Sequence, residues 1–167
     1  SGGAQGSVMA TAKGFGLDPG LLRTLAQNAL KPALRAWAGQ LTPMVEGVPW
    51  QSGICFICGA SATLGELQGN DQEKHLRCGQ CGADWIFHRL RCVHCGNENH
   101  TTLGCLSPEG RQERMRIETC ERCKGYLKVT SSFTPVPPEM ITVEDLATLQ
   151  LDFIAQERGY TREPVTP

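Results

Sequence analysis

All nine cysteines of this 167-residue chain fall between Cys55 and Cys123, and eight of them are regularly spaced. They form four pairs of one spacing, Cys55/Cys58, Cys78/Cys81, Cys92/Cys95 and Cys120/Cys123, each with two residues between its cysteines. Glycine follows three pairs at once (Gly59, Gly82, Gly96), and Lys124-Gly125 follows the fourth. This is the pattern of a metal knuckle. A tight turn presents two thiolates to one ion, backbone N–H groups point at the sulfurs, and glycine supplies the positive φ such a turn often needs. Two knuckles give four thiolates, a tetrahedral site for zinc or a single iron. Four disulfides would use the same eight residues, but that arrangement belongs to short secreted chains with a signal peptide. A thioredoxin-like redox pair needs a strand before it and a long helix after it. Here glycine and short β-like runs follow instead.

An internal repeat suggests which pairs share an ion. Cys55 to Leu90 reads knuckle, β-like run, turn, β-like run, knuckle, β-like run, and Cys92 to Ser132 reads the same way. The runs of the first copy are Thr63–Gln68, Lys74–Arg77 and Ala83–Leu90, with a turn at Gly69-Asn70-Asp71. Those of the second are Thr101–Leu106, Glu113–Glu118 and Gly125–Ser132, with a turn around Ser107-Pro108-Glu109-Gly110. The repeat predicts two sites, Cys55, Cys58, Cys78, Cys81 and Cys92, Cys95, Cys120, Cys123, and two metal ions, each held by four cysteines. Crossed or interleaved pairing is the alternative.

The remaining chemistry-bearing residues read more plainly. His75, His88, His94 and His100 are given surface or hydrogen-bonding roles, since eight cysteines already fill two sites. Cys105, in an apolar run, is expected to be a small buried hydrophobe. Arg111, Arg114, Arg116, Arg122, Lys124 and Lys128 make a local excess of positive charge, interrupted by Glu113, Glu118 and Glu121. A four-thiolate site with a divalent metal carries a formal charge of about −2, so nearby cations have a structural task. No nucleophile–base pair, paired carboxylate site or phosphate loop stands out, which points to a non-enzyme.

These sites need elements to hold them. Each ribbon of about forty residues is too short to bury an adequate core alone, so metal or neighbouring elements must stabilise it. Ala83–Leu90 alternates Trp85, Phe87 and Arg89 with Ile86, His88 and Leu90, so one face is expected to pack on its ribbon and the other on a helix or the second ribbon. It runs into Cys92 after only Arg91, which leaves no linker between the ribbons. Ahead of them, Asp18-Pro19 starts a helix. Leu21, Leu22, Leu25, Leu30, Leu34, Trp37 and Leu41 form its stripe, with a kink or restart at Pro32. Packing on the ribbons is the favoured reading, with part of the wide stripe facing another molecule. Behind the ribbons, Thr142 caps a final helix with apolar Val143, Leu146, Leu149, Phe153 and Ile154, closed by Gly159 at C′. The chain divides into a flexible lead (1–17), a helical segment (18–50), a first ribbon (51–91), a second ribbon (92–134), and a connector with C-terminal helix (135–167).

Net charge is −1, which gives no global attraction for nucleic acid or anionic membrane. No apolar run reaches membrane-spanning length, and the first residues lack a signal pattern. Neither a nucleic-acid nor a membrane partner is expected.

The chain resembles the formate dehydrogenase accessory protein family, the FdhE type. The resemblance rests on four knuckles in this order, on the run from Glu118 through Cys120, Cys123 and Tyr126 to Lys128, and on Asp145 to Asp152 leading to Glu157-Arg158-Gly159-Tyr160. Ala29-Leu30-Lys31-Pro32, Trp50 and Gly53 also fit. It covers roughly Asn28 to Arg162. It implies an α+β fold of two tandem rubredoxin-like (zinc-ribbon) modules flanked by an N-terminal helical segment and a C-terminal helix. It also implies iron at the eight knuckle cysteines, though zinc fits the ligands equally, and a cytoplasmic role in maturation through contact with the formate dehydrogenase catalytic subunit. Against that family the sequence begins inside the helical region, and Glu163 to Pro167 departs from the usual tail. The other readings are a zinc-ribbon adaptor for nucleic acid or transcription machinery, and a rubredoxin-like electron carrier.

Overall fold

The structure is a computed structural model that describes residues 2–45, 47–107, 114–162 and 164. Two helices lead, α1 (Gly2–Phe15) and α2 (Pro19–Leu41). Asp18 caps α2 through Oδ1, which accepts from Leu21 N–H at 2.9 Å, and Pro19 fills the first helical position. Pro32 sits inside α2 without ending it. The stretch expected to be a flexible lead is thus largely helical. Its Ala12 is fully buried, and Leu17 N–H donates to Ala12 C=O at 3.0 Å, which closes the end of α1 just ahead of α2.

Each repeat copy supplies three strands, β1 (Leu64–Gln68), β2 (Glu73–Arg77) and β3 (Asp84–Ile86), then β4 (Leu103–Leu106), β5 (Met115–Cys120) and β6 (Tyr126–Ser132). The hairpins are antiparallel, and all six strands join one sheet in the order β3-β2-β1-β6-β5-β4. The seam is β1 against β6, parallel, with Gly65 opposite Val129 and Leu67 opposite Ser131. This order places the second copy beside the first by a sideways step, so both sets of knuckles lie at the same end of the sheet. The strands β3, β4 and β5 differ from expectation in their limits, because Phe87 N–H to Lys74 C=O is the last rung of β3 and a 3₁₀ turn (His100–Thr102) precedes β4. The turn around Pro108 and the expected start of β5 at Glu113 lie outside the described residues.

Strand side chains alternate between two faces, each covered over part of the sheet. On one face Leu67, Leu76, Trp85, Phe87, Leu127 and Val129 pack together with Ala38 and Leu34 of α2. On the other, Ile117 and Tyr126 meet Leu151 and Ala155. The face of Ile86, His88 and Leu90, expected to pack, is exposed. Much of the α2 stripe is open too: Leu21, Leu25, Leu30, Trp37 and Leu41 are exposed.

The C-terminal helix is two helices, α3 (Ile141–Ala147) and α4 (Leu149–Glu157). They part at Thr148, whose hydroxyl donates toward Glu144 C=O at 2.8 Å and Asp145 C=O at 3.0 Å. Thr142 does not cap α3. Its hydroxyl instead accepts from Lys31 Nζ at 3.3 Å, and Met140 holds the cap position without a side-chain bond. The end of α4 is as expected: Gly159 N–H reaches Gln156 C=O and Tyr160 N–H reaches Ala155 C=O, with Gly159 at φ +81.

Charged residues fasten the helices to the sheet. Lys128 of β6, 2% exposed, places Nζ 2.6 Å from Asp152 Oδ2 and 2.7 Å from Asp145 Oδ1. Tyr126 donates its hydroxyl to Asp152 Oδ1 at 2.6 Å, and Arg162 forks onto Asp145. Beside the seam, buried Glu66 pairs with Arg77 of β2, and across the seam it accepts from Ser132 Oγ of β6 and from Val136 N–H. Lys128 was expected to offset a thiolate cluster, but its partners are the helix carboxylates.

Candidate metal centres

All four knuckles share one closing bond, and three share a second. In the first, Cys55 N–H donates to Ala60 C=O at 2.8 Å and Gly59 N–H to Cys55 C=O at 3.0 Å. Cys78 and Cys92 repeat both bonds, to Ala83 and from Gly82, and to Asn97 and from Gly96. Gly59, Gly82 and Gly96 all have positive φ, between +68 and +81. In the fourth knuckle Cys120 N–H bonds Gly125 C=O, and Lys124 takes the left-handed conformation at φ +55 that glycine holds elsewhere.

The sheet brings these turns together in two groups. The sulfurs of Cys55, Cys58, Cys78 and Cys81 lie within 4.8 Å of one another, and so do those of Cys92, Cys95, Cys120 and Cys123. Nearest sulfur pairs are 3.5 Å apart in the first group and 3.7 and 3.8 Å in the second. A disulfide needs about 2.05 Å. Four sulfurs around zinc at ~2.3 Å have edges of about 3.8 Å, so the spacing fits a tetrahedral ion. All eight thiols are free.

Electrostatics favour the same reading. Hydrogen bonds from Cys78 and Cys81 bring the Cys55 thiol down to about 4, while the contacts of Cys81 with Cys55 and Cys78, and its burial, push Cys81 up. In the second group burial pushes Cys92 up to about 11 and also raises Cys123. Burial works against Cys120 too, but the Cys123 N–H and the Asn97 amide bring it down to about 7. One ionised sulfur raises the cost of the next, so four thiolates at this spacing call for a cation among them.

Asn97 went unremarked in the sequence. Its amide donates to Cys120 Sγ at 3.5 Å and to Thr102 Oγ1 at 2.7 Å, which ties the third knuckle to the fourth. Its position just after Cys-Gly was the available signal. The histidines take other roles. His75 lies between Asp84 (2.5 Å) and Glu73 (3.3 Å), and His94 Nε2 is 2.9 Å from Tyr126 C=O. Cys105, expected to be buried, is exposed, because β4 is the edge strand of the sheet.

Residues 90–167 match the family model described as FdhE, C-terminal domain. The chain is 28% identical over 153 residues to a protein FdhE homolog from Aquifex aeolicus, covering 88% of this chain and 52% of that protein. A protein FdhE homolog from Shewanella oneidensis is 32% identical over 120 residues, 70% of this chain and 38% of that one. The crystal structure of the FdhE protein from Pseudomonas aeruginosa superposes with a TM-score of 0.62 at 31% identity, covering 81% of this chain and 49% of that chain. The chain is similar to the FdhE family, and its residues 90–167 match that family's C-terminal domain. It spans about half the length, or less, of these FdhE relatives. All eight knuckle cysteines fall within Asn28 to Arg162, the stretch that carried the FdhE resemblance in the sequence. Among the described residues no helix is long and apolar enough to cross a membrane.

Proposed function

We propose that this chain is the metal-binding part of a non-enzymatic accessory factor for formate dehydrogenase, and that it acts in the cytoplasm by binding the catalytic subunit. The observation that carries the reading is the match to FdhE proteins together with two four-sulfur groups built on one sheet. Cys55, Cys58, Cys78 and Cys81 hold one ion, and Cys92, Cys95, Cys120 and Cys123 the other. Iron and zinc both accept four thiolates. Either ion, when bound, neutralises thiolate charge and cross-links its two knuckles, which fixes the ribbons as a rigid platform. The open stripe of Leu30, Trp37 and Leu41 supplies apolar area for a partner.

The test is capture of the catalytic subunit by the metal-loaded chain, run beside a salt-titrated nucleic-acid binding assay. Capture that survives moderate salt and weakens on replacing Trp37 supports the reading. Salt-sensitive nucleic-acid binding without capture of the subunit overturns it in favour of an adaptor.

A further inference from the structure

On the face of β5 and β6 turned away from α4, a cleft of about 330 Å³ lies between the two ribbons. Lys74, Arg89, Arg91 and Arg116 line it, against one carboxylate, Glu118. This is a concentration of positive charge in a chain of net charge −1. Lys74 is only 1% exposed, held 2.5 Å from Glu118 Oε2 with its ammonium 5.4 Å from the centre of the Phe87 ring. The other oxygen of Glu118 accepts from Arg116 at 2.7 Å, so a single carboxylate serves two cations. Among the described residues the buried Nε atoms of Arg91 and Arg116 find no acceptor, although Arg91 Nη1 lies 3.6 Å from Glu98 Oε1. Leu90, Val93, Leu103 and Leu127 supply the apolar part of the wall.

Guanidinium groups match the oxygen spacing of carboxylates and phosphates, and an unpaired buried N–H donor is costly. We infer that this cleft binds an oxyanion of phosphate or carboxylate type carried on a small apolar body. The oxyanion takes the unanswered arginine donors beside Lys74, and the body lies against the leucines. The volume is at the low end for small-ligand sites, which sets the size of that body. This inference is independent of the formate dehydrogenase reading. Its rival is that the arginines only offset the nearby Cys92–Cys120 thiolate cluster, since Cys92 and Cys120 also line the cleft.

The zinc-loaded chain, labelled for amide NMR, is titrated at constant ionic strength with inorganic phosphate, phenyl phosphate and a blocked hexaglutamate peptide. Saturating shifts confined to Gly104, Cys105, Thr119 and Leu127 are expected, tighter for phenyl phosphate than for inorganic phosphate. Saturation by the peptide alone keeps the oxyanion chemistry and assigns its source to a polypeptide. Arg89→Gln, on an exposed side chain, and the double variant R89Q/R116Q are expected to weaken binding by roughly tenfold or more while two zinc ions are retained. Non-saturating shifts with all three probes, unchanged affinity in folded R89Q, or loss of zinc from R89Q/R116Q without any oxyanion binding by the parent chain would overturn the inference.

Discussion

Gly65 of β1 stands directly opposite Val129 of β6 in parallel register, and a methyl group built on Gly65 would come within 2.9 Å of Val129 Cγ2 and 3.1 Å of Leu127 Cδ2. This contact is the place where two repeat copies become one sheet. A side chain there must push the strands apart or move the valine. Gly65→Val is expected to destabilise the chain by about 1–3 kcal/mol through overpacking. A denaturant melt of the metal-loaded protein checks this, and an unchanged midpoint would mean that the seam is loose.

The anchoring of α4 makes a second prediction. Asp152 accepts from both Lys128 and Tyr126 in a buried position. Asp152→Ala leaves Lys128 with Asp145 as its remaining charged partner. The expected loss is about 3 kcal/mol, the lower end for breaking a buried pair. Amide exchange in Leu149–Glu157 should quicken more than exchange in β1 and β2. Equal quickening throughout would show that the helix and sheet unfold as one unit.

His75 gives a pH dependence. Burial works against its charged form, but the hydrogen bond and charge of Asp84 outweigh it, helped by Glu73, and its pKa is raised above 6.5. A group whose pKa rises on folding contributes stability that is fully present below its unfolded value and lost as pH climbs through the folded value. The stability advantage of the parent chain over His75→Gln should therefore be largest at pH 6 and shrink toward pH 9. Because the pair is partly solvent-exposed, the effect should be of the order of 0.5–1 kcal/mol. Denaturant midpoints at the two pH values measure it, and an advantage that grew with pH would contradict the charged-histidine picture.

The knuckles were legible because their information is local. Cys-x-x-Cys-Gly carries its own turn chemistry, and the repeat arranges the knuckles two by two. The helix cap at Asp18 and the stop at Gly159 were legible for the same reason. The sheet seam was not, because β1 and β6 are some sixty residues apart and only the absent side chain of Gly65 marks the contact. Lys74, Lys128, Glu66 and Arg77 were also hidden: charged residues in strands read as a solvent face, yet here they are buried in pairs with carboxylates and guanidinium groups. The helix over Gly2–Phe15 escaped notice because its glycine-rich opening reads as linker. The exposure of Cys105 follows from edge position, which no local pattern encodes.

The eight knuckle cysteines are expected to hold two ions in two independent four-thiolate sites. Metal content per folded chain, measured by elemental analysis on protein purified without oxygen and paired with an absorption spectrum, tests it most directly. Two ions per chain are expected, and one per chain in the C55S/C58S variant, with the ion at Cys92, Cys95, Cys120 and Cys123 retained. A folded parent chain carrying one ion or none, or a C55S/C58S variant that stays folded and still carries two, would contradict it.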